Sequence, residues 1–111
     1  MEELFLGTNE VEAYLKHKEQ QSEIGRCIDP CQCLLAYAMA YTYPTCTDIV
    51  VDADRITARQ GSSRVVVHLS AKLQRMQHIF DVYSGAQPGE GVTKIAYLNA
   101  YRAFFPKEKI A

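Results

Sequence analysis

The chain has 111 residues, of which 48% are hydrophobic and 23% are charged, and its net charge is −1. This length lets one domain bury a core without metals or disulfides, and the composition is that of a soluble globular protein. No apolar run approaches the roughly 18 residues that a membrane-spanning helix needs. The first residues, 1–7, are acidic rather than basic and unlike a signal peptide. We therefore expect a single cytoplasmic domain, residues 1–111, that does not act at a membrane.

The charges are unevenly distributed along the chain. Residues 1–54 hold ten acids and three bases, residues 55–80 hold five bases and no acid, and residues 81–111 hold three acids and four bases. The basic middle segment is the charge feature that points to an interaction surface.

The N-terminal third predicts one amphipathic helix. Residues 2–6 fit a short leading strand or an ordered tail. Thr8 or Asn9 can cap a helix that runs to about Gln20, with apolar positions at helical spacing on one side. Residues 21–27 are polar and predict a connection.

A second helix is predicted from Asp29 to Tyr43. Asp29 is a good N-cap, Pro30 suits the first helical position, and Pro44 discourages helical geometry at Tyr43. No charged residue lies between Pro30 and Tyr43. A helix that is apolar on every side should be buried at the centre of the fold.

Residues 47–69 predict three antiparallel strands, 47–52, 55–59 and 64–69, because short β-branched runs alternate with turn residues. If alternate residues face the central helix, the inner face holds Ile49, Val51, Ile56, Ala58, Val65, Val67 and Leu69. The outer face then holds Arg55, Thr57, Arg59, Arg64, Val66 and His68.

Two further helices follow. Ser70 caps a predicted helix over residues 71–83, which Ser84 and Gly85 end in a left-handed turn. A flexible glycine-rich loop, residues 85–91, leads to a last helix from about Thr93 to Phe105. The expected fold class is α+β, with a three-stranded or four-stranded antiparallel sheet packed on the central helix and flanked by the others.

The four cysteines do not form a common zinc pattern, in which paired C-x2-C knuckles dominate. Cys31 and Cys33 would point about 200° apart on a helix and could hardly bind one ion. We interpret Cys27, Cys31, Cys33 and Cys46 as small hydrophobic residues in a reducing compartment, and we predict no metal and no cofactor. A zinc site or a disulfide to Cys46 is the alternative.

The basic segment supplies the first candidate binding face. It comprises the six residues Arg55, Arg59, Arg64, His68, Lys72 and Arg75. Such a face could meet phosphates or an acidic protein surface. Nucleic acid is not favoured as the partner, because no aromatic residue interleaves the arginines and the net charge is not basic.

Tyrosines supply a second candidate site. Tyr37 and Tyr41 lie on the central helix and Tyr83 ends the following one. Since a buried tyrosine needs a partner for its hydroxyl, these residues could line a pocket near the loop over residues 85–91; the alternative is that they are core residues whose hydroxyls reach solvent.

The stretch from Cys31 to Gly85 resembles a known group. A helix rich in cysteine, leucine and alanine, a pair of tight hairpins and a helix carrying Phe80-Asp81 are similar to small uncharacterised proteins encoded in bacterial, cyanobacterial and phage genomes. That group has no agreed activity, so the resemblance transfers no site. It implies an origin in an accessory or mobile genetic element.

The function expected from these features is that of a non-enzymatic interaction module that associates with itself, most simply as a homodimer. A small-molecule-binding protein or small enzyme with a pocket near the central helix is the first alternative. A nucleic-acid-binding regulator that uses the basic face is the second.

Overall fold

The computed structural model describes residues 2–110. The helices are α1 (Thr8–His17), α2 (Leu34–Thr42), α3 (Ala71–Tyr83) and α4 (Lys94–Phe104), and the strands are β1 (Glu2–Glu3), β2 (Glu23–Arg26), β3 (Cys46–Val51), β4 (Arg55–Gln60), β5 (Ser63–His68) and β6 (Gly91–Thr93). The predicted α+β class is confirmed. None of the helices within residues 2–110 is long and apolar enough to cross a membrane.

The larger sheet has the strand order β1-β5-β4-β3. Strands β3, β4 and β5 form the predicted antiparallel meander. The leading residues do form a strand, but β1 pairs with β5 in parallel, so the sheet is mixed rather than wholly antiparallel. Its parallel direction follows from the long excursion through α1 and α2 that separates β1 from the meander.

A second, two-stranded sheet was not predicted. It consists of β2 and β6, which pair antiparallel, although residues 21–27 were interpreted as a connection and residues 91–93 as the end of a loop and the start of the last helix. Neither strand is long or apolar enough to give a periodic signal, and their pairing joins segments far apart in sequence.

Helix α2 lies at the centre of the fold, as predicted, where it packs against α1, α3, β2 and β3. Its predicted start at Asp29 is wrong, because the helix begins at Leu34 with Cys33 as its N-cap. Asp29 instead caps a separate turn, in which its Oδ1 accepts from the amides of Cys31 at 2.9 Å and Gln32 at 3.1 Å. The same local capping chemistry therefore served a turn rather than a helix.

The other helices follow the prediction at most of their ends. In α3 the Ser70 hydroxyl accepts from the Leu73 amide at 3.2 Å, and Gly85 takes a positive φ of 86° after its end. Helix α1 ends at His17 rather than Gln20, and its N-cap is Gly7, whose amide donates to Glu10 Oε1 at 2.7 Å. Helix ends are therefore predicted correctly from the sequence where a side chain makes the capping hydrogen bond.

The inner face of the sheet is close to the predicted one. Ile56, Ala58, Val65 and Val67 are buried in the common core. Ile49 is only half-buried, because a β-bulge between Thr47 and Val50 shifts the register of β3 and holds Asp48 at a φ of +53°. A bulge re-aims the side chains on its strand.

Candidate functional site

The four strand residues of the predicted basic face share one exposed surface of the sheet. Arg55 lies directly opposite His68, and Arg59 lies directly opposite Arg64, on the neighbouring strands β4 and β5. Directly opposite residues in an antiparallel pair project from the same face. The predicted grouping of these four side chains is therefore correct.

Acidic residues neutralise most of this face. Arg55 Nε lies 3.2 Å from Asp54, Arg59 Nε lies 3.6 Å from Asp48, and His68 Nε2 lies 3.4 Å from Glu3. The hydrogen bond and charge of Arg55 lower the pKa of Asp54 below its usual value. The surface is thus a mixture of both charges rather than a basic patch.

Lys72 and Arg75 make their contacts elsewhere. Lys72 Nζ lies 2.7 Å from a Glu108 carboxylate oxygen and 3.7 Å from the centroid of the Phe105 ring. The Arg75 guanidinium lies 5.2 Å from the same ring. Both side chains therefore bind the segment that follows α4, where cation–π contacts and an ion pair hold it against α3.

The three tyrosines predicted to line one pocket contact three different neighbours. The Tyr37 hydroxyl donates to Gln32 Oε1 at 3.3 Å. The Tyr41 ring lies 4.9 Å from the His17 ring, and the Tyr83 ring lies 4.7 Å from the Phe104 ring, measured between centroids. The structure does not bring the three tyrosines into one pocket: Tyr37 lines a cleft beside β3, whereas Tyr41 and Tyr83 turn outward to these partners.

A different concave site of the described residues is a cleft with a volume of about 570 Å³. We call it the acidic cleft. It opens between the turn before α2, the β3–β4 turn and one side of α3. Its lining residues are Ile28, Asp29, Pro30, Cys33, Val51, Asp52, Ala53, Leu69, Gln74, Gln77, His78 and Asp81.

The lining combines negative charge with an apolar floor. Each of the three elements contributes one carboxylate, namely Asp29, Asp52 and Asp81, and no lysine or arginine lines the cleft. Val51 and Leu69 are buried beneath it. Carboxylates over apolar walls focus a negative potential into the cavity.

A hydrogen-bond network braces one wall of the acidic cleft. Gln77 Oε1 accepts from the Leu35 amide at 3.1 Å, and Gln77 Nε2 donates to Asp81 Oδ2 at 3.1 Å. Asp81 Oδ1 then accepts from the Ile28 amide at 2.9 Å. Gln77 therefore supplies from α3 the N-terminal cap that α2 lacks, since Cys33 makes no side-chain cap bond.

The same network holds a strained residue at the rim. Ile28 has a φ of +51°, which is costly for a β-branched side chain, and it is largely exposed. Such strain persists only where the surroundings fix the backbone, and here the Asp81 carboxylate does so.

Three of the four cysteines, Cys27, Cys33 and Cys46, are buried as small hydrophobic residues should be, whereas Cys31 is exposed; all four are free thiols. Burial raises the pKa of Cys33 to about 11, against the opposing effect of the Ala36 amide. The Cys27 thiol donates to the Asp81 carbonyl at 3.0 Å. Within residues 2–110, no group of three or more histidine, cysteine, aspartate or glutamate side chains is placed to hold a metal ion.

Sequence reasoning missed the acidic cleft although one signal was present. Gln74, Gln77, His78 and Asp81 recur at helical spacing along α3 and form a polar stripe beside its apolar one. A polar stripe on a helix is usually only a solvated face. The carboxylates of Asp29 and Asp52 lie far from it in sequence, so their convergence has no local signature.

Comparisons with protein-family models, with curated proteins and with solved structures gave no match. The resemblance of residues 31–85 therefore stays a prediction.

Proposed function

We propose that this protein is a binding module that takes a small molecule into the acidic cleft. The observation that carries the proposal is the cavity of about 570 Å³, which combines an apolar floor with a few converging polar groups. Binding sites for small molecules are usually concave, largely pre-formed and built in this way. The bracing of the wall by Gln77 and Asp81 supports a cleft that exists before the ligand arrives.

Binding rather than catalysis is the proposed role. The raised pKa of Cys33, about 11, keeps this thiol protonated at neutral pH, and a protonated thiol is a poor nucleophile. The four free thiols also support a reducing, cytoplasmic setting.

The test is a nuclear magnetic resonance screen of the labelled protein with small cations, neutral molecules and anions. We expect saturable shifts on the backbone amides of the acidic cleft. Ala53→Trp, at an exposed rim position, should fill the mouth and abolish them. Ala103→Trp, at an exposed position on α4 outside the cleft lining, is the control and should leave them unchanged. The proposal fails if no compound shifts the cleft amides, or if Ala53→Trp has no effect.

We also propose self-association, with a second copy of the chain as the partner, because aromatic surface is exposed beside α4. Tyr83 and Phe104 are 51% and 42% exposed, and their rings pack against each other. Exposed aromatic clusters are common at contact surfaces between proteins.

Light scattering after size exclusion tests this second function. We expect a dimer that survives high salt, since apolar contacts are not screened, and that dissociates when Tyr83 and Phe104 are both changed to Ser. Phe5→Ser, which removes another exposed ring, should leave the dimer intact. A monomer at every concentration would refute self-association.

A further inference from the structure

We propose that the ligand of the acidic cleft is a compact organic cation, in which a protonated amine, guanidinium or amidinium group is attached to a small apolar body. The inference rests on the proposed function, because it names the ligand class for the same cleft.

The charge of the cleft lining favours a cationic ligand. Asp29, Asp52 and Asp81 come from three separate elements and meet around one cavity, and the only basic side chain among the lining residues is His78. An anion entering this cleft would meet like charge on three sides, whereas a cation would be attracted. Charge thus selects the ligand before any contact forms.

The cleft also offers carboxylate oxygens that can accept hydrogen bonds from a ligand. Oδ1 of Asp29 is already occupied by the amides of Cys31 and Gln32. No hydrogen bond from residues 2–110 reaches Oδ2 of Asp29 or the side chain of Asp52, so both can accept from a ligand. Amine, guanidinium and amidinium groups only donate hydrogen bonds, and they make their strongest ones to carboxylates.

The floor is an observation independent of the acids. Cys33 is 2% exposed and lines the cleft beside Val51 and Leu69. Its thiol donates to no acceptor among the described residues, although the Cys27 thiol has such an acceptor in the Asp81 carbonyl. A polarisable thiol whose proton has no acceptor among the described residues, set in an apolar floor, suits the hydrocarbon or aromatic body of a ligand.

A matched series of probes isolates the charge. Benzamidine, benzamide and benzoate have nearly the same shape and are cationic, neutral and anionic at neutral pH. We expect saturable binding of benzamidine in the cleft, binding of benzamide weaker by about tenfold, and none of benzoate. Agmatine should bind as an aliphatic cation, and all cation binding should weaken with salt.

Variants then assign the contact. Asp52→Asn should weaken benzamidine binding by about three- to tenfold, and Asp29→Asn should do the same because it keeps the Oδ1 acceptor of the turn while removing the charge. Asp54→Asn is the matched control, since Asp54 lies in the same β3–β4 turn but does not line the cleft. A blocked arginine that binds more tightly than agmatine would assign the cation to a peptide side chain rather than to a free amine.

Each outcome decides a different question. If the three benzene derivatives bind in the cleft equally well, or if Asp52→Asn and Asp29→Asn leave benzamidine binding unchanged, the cation inference is wrong while the proposed function stands. If neither benzamidine nor agmatine binds saturably but a neutral or anionic compound shifts the cleft amides, the cation inference is again wrong and the proposed function again stands. If no compound of any charge binds there, both proposals fail.

Discussion

The outer face of the sheet and the acidic cleft show opposite relations between sequence and surface. The sheet face is built from bases that are close together in the chain, yet Glu3, Asp48 and Asp54, which precede these bases in the chain, pair with them and neutralise most of the face. The cleft is built from acids dispersed over more than 50 positions, Asp29 to Asp81, and no lysine or arginine lines it.

This contrast teaches that charge clustering along a chain is a poor guide to charge on a surface. An exposed ion pair contributes little free energy, so the sheet pairs need not be strong to cancel the field of the arginines. What counts for a ligand is which charges remain unpaired around a cavity.

Gly25→Ala should be the most damaging single change near the acidic cleft. A Cβ at Gly25 would lie 2.7 Å from the backbone carbon of Cys33 and 2.8 Å from the Leu34 nitrogen, at a φ of +157°. Neither backbone atom can move without shifting the start of α2, so we expect a loss of about 3 kcal/mol in the free energy of unfolding. Urea denaturation followed by circular dichroism measures it.

The control for this change lies in the hairpin of the sheet face. Gly61→Ala meets no atom within 4 Å and should cost only the backbone term of about 1 kcal/mol. Equal losses at the two glycines would show that contact with α2 is not the cause.

Gln77→Leu should come next, at about 2 kcal/mol. It removes the acceptor of the Leu35 amide and one donor to Asp81, and it leaves a helix N-terminus without its cap. Gln60→Leu, which removes an exposed bond to Thr45 at the end of the sheet face, is the matched control and should cost less than about 0.5 kcal/mol. Amide exchange at Leu35 should accelerate only in the first variant.

The floor of the cleft predicts a dependence on pH. Burial raises the pKa of Cys33 to about 11. At a pH between the ordinary pKa of a thiol and this value, the folded state therefore keeps a proton that the unfolded state has lost. Stability from this group is therefore intact below pH about 8.5 and falls as the pH rises toward 11. Cys33→Ala should flatten the fall by on the order of 1 to 2 kcal/mol.

Cys31→Ala is the comparison for that experiment, since Cys31 is exposed. Denaturation curves measured at several alkaline pH values should show that the free energy of unfolding of Cys31→Ala falls with pH as steeply as that of the unaltered chain. If the free energy of unfolding of Cys33→Ala fell with pH as steeply as that of the unaltered chain, the loss of stability at alkaline pH would not come from the Cys33 thiol.

The smallest effect belongs to the sheet face. A double-mutant cycle with Arg59→Ala and Asp48→Ala should give a coupling below about 0.5 kcal/mol, which salt should reduce further, because both side chains are at least half exposed. A coupling several times larger would mean that the face is an organised network and would remove the contrast with the cleft.

The sequence predicted those parts of the fold that local chemistry determines. Helix α3 was predicted with the bounds that the structure gives it. Ser70 at its start and Gly85 after its end each determine the backbone of the turn next to them. The start of α2 was predicted wrongly, since the Asp29 side chain is equally able to cap a turn. Strands β2 and β6 were missed, because their pairing depends on tertiary context.

The site divides in the same way. The shared face of Arg55, Arg59, Arg64 and His68 follows from strand alternation, which is a property of neighbouring residues. The ion pair of His68 with Glu3, the separate contacts of Lys72 and the outward turn of Tyr83 depend on packing between distant segments. The acidic cleft belongs wholly to this second kind, and only the stripe on α3 marks one of its walls.

The bulge at Asp48 has a consequence for how copies of this chain can meet. Strand β3 is an edge of the larger sheet, and a flat edge invites another strand to add to it. Here the shifted register interrupts the row of backbone groups, and the Val51 amide donates to the Pro30 carbonyl at 2.8 Å. The sheet cannot be extended from this side without breaking that bond, so this edge is protected against strand-to-strand aggregation.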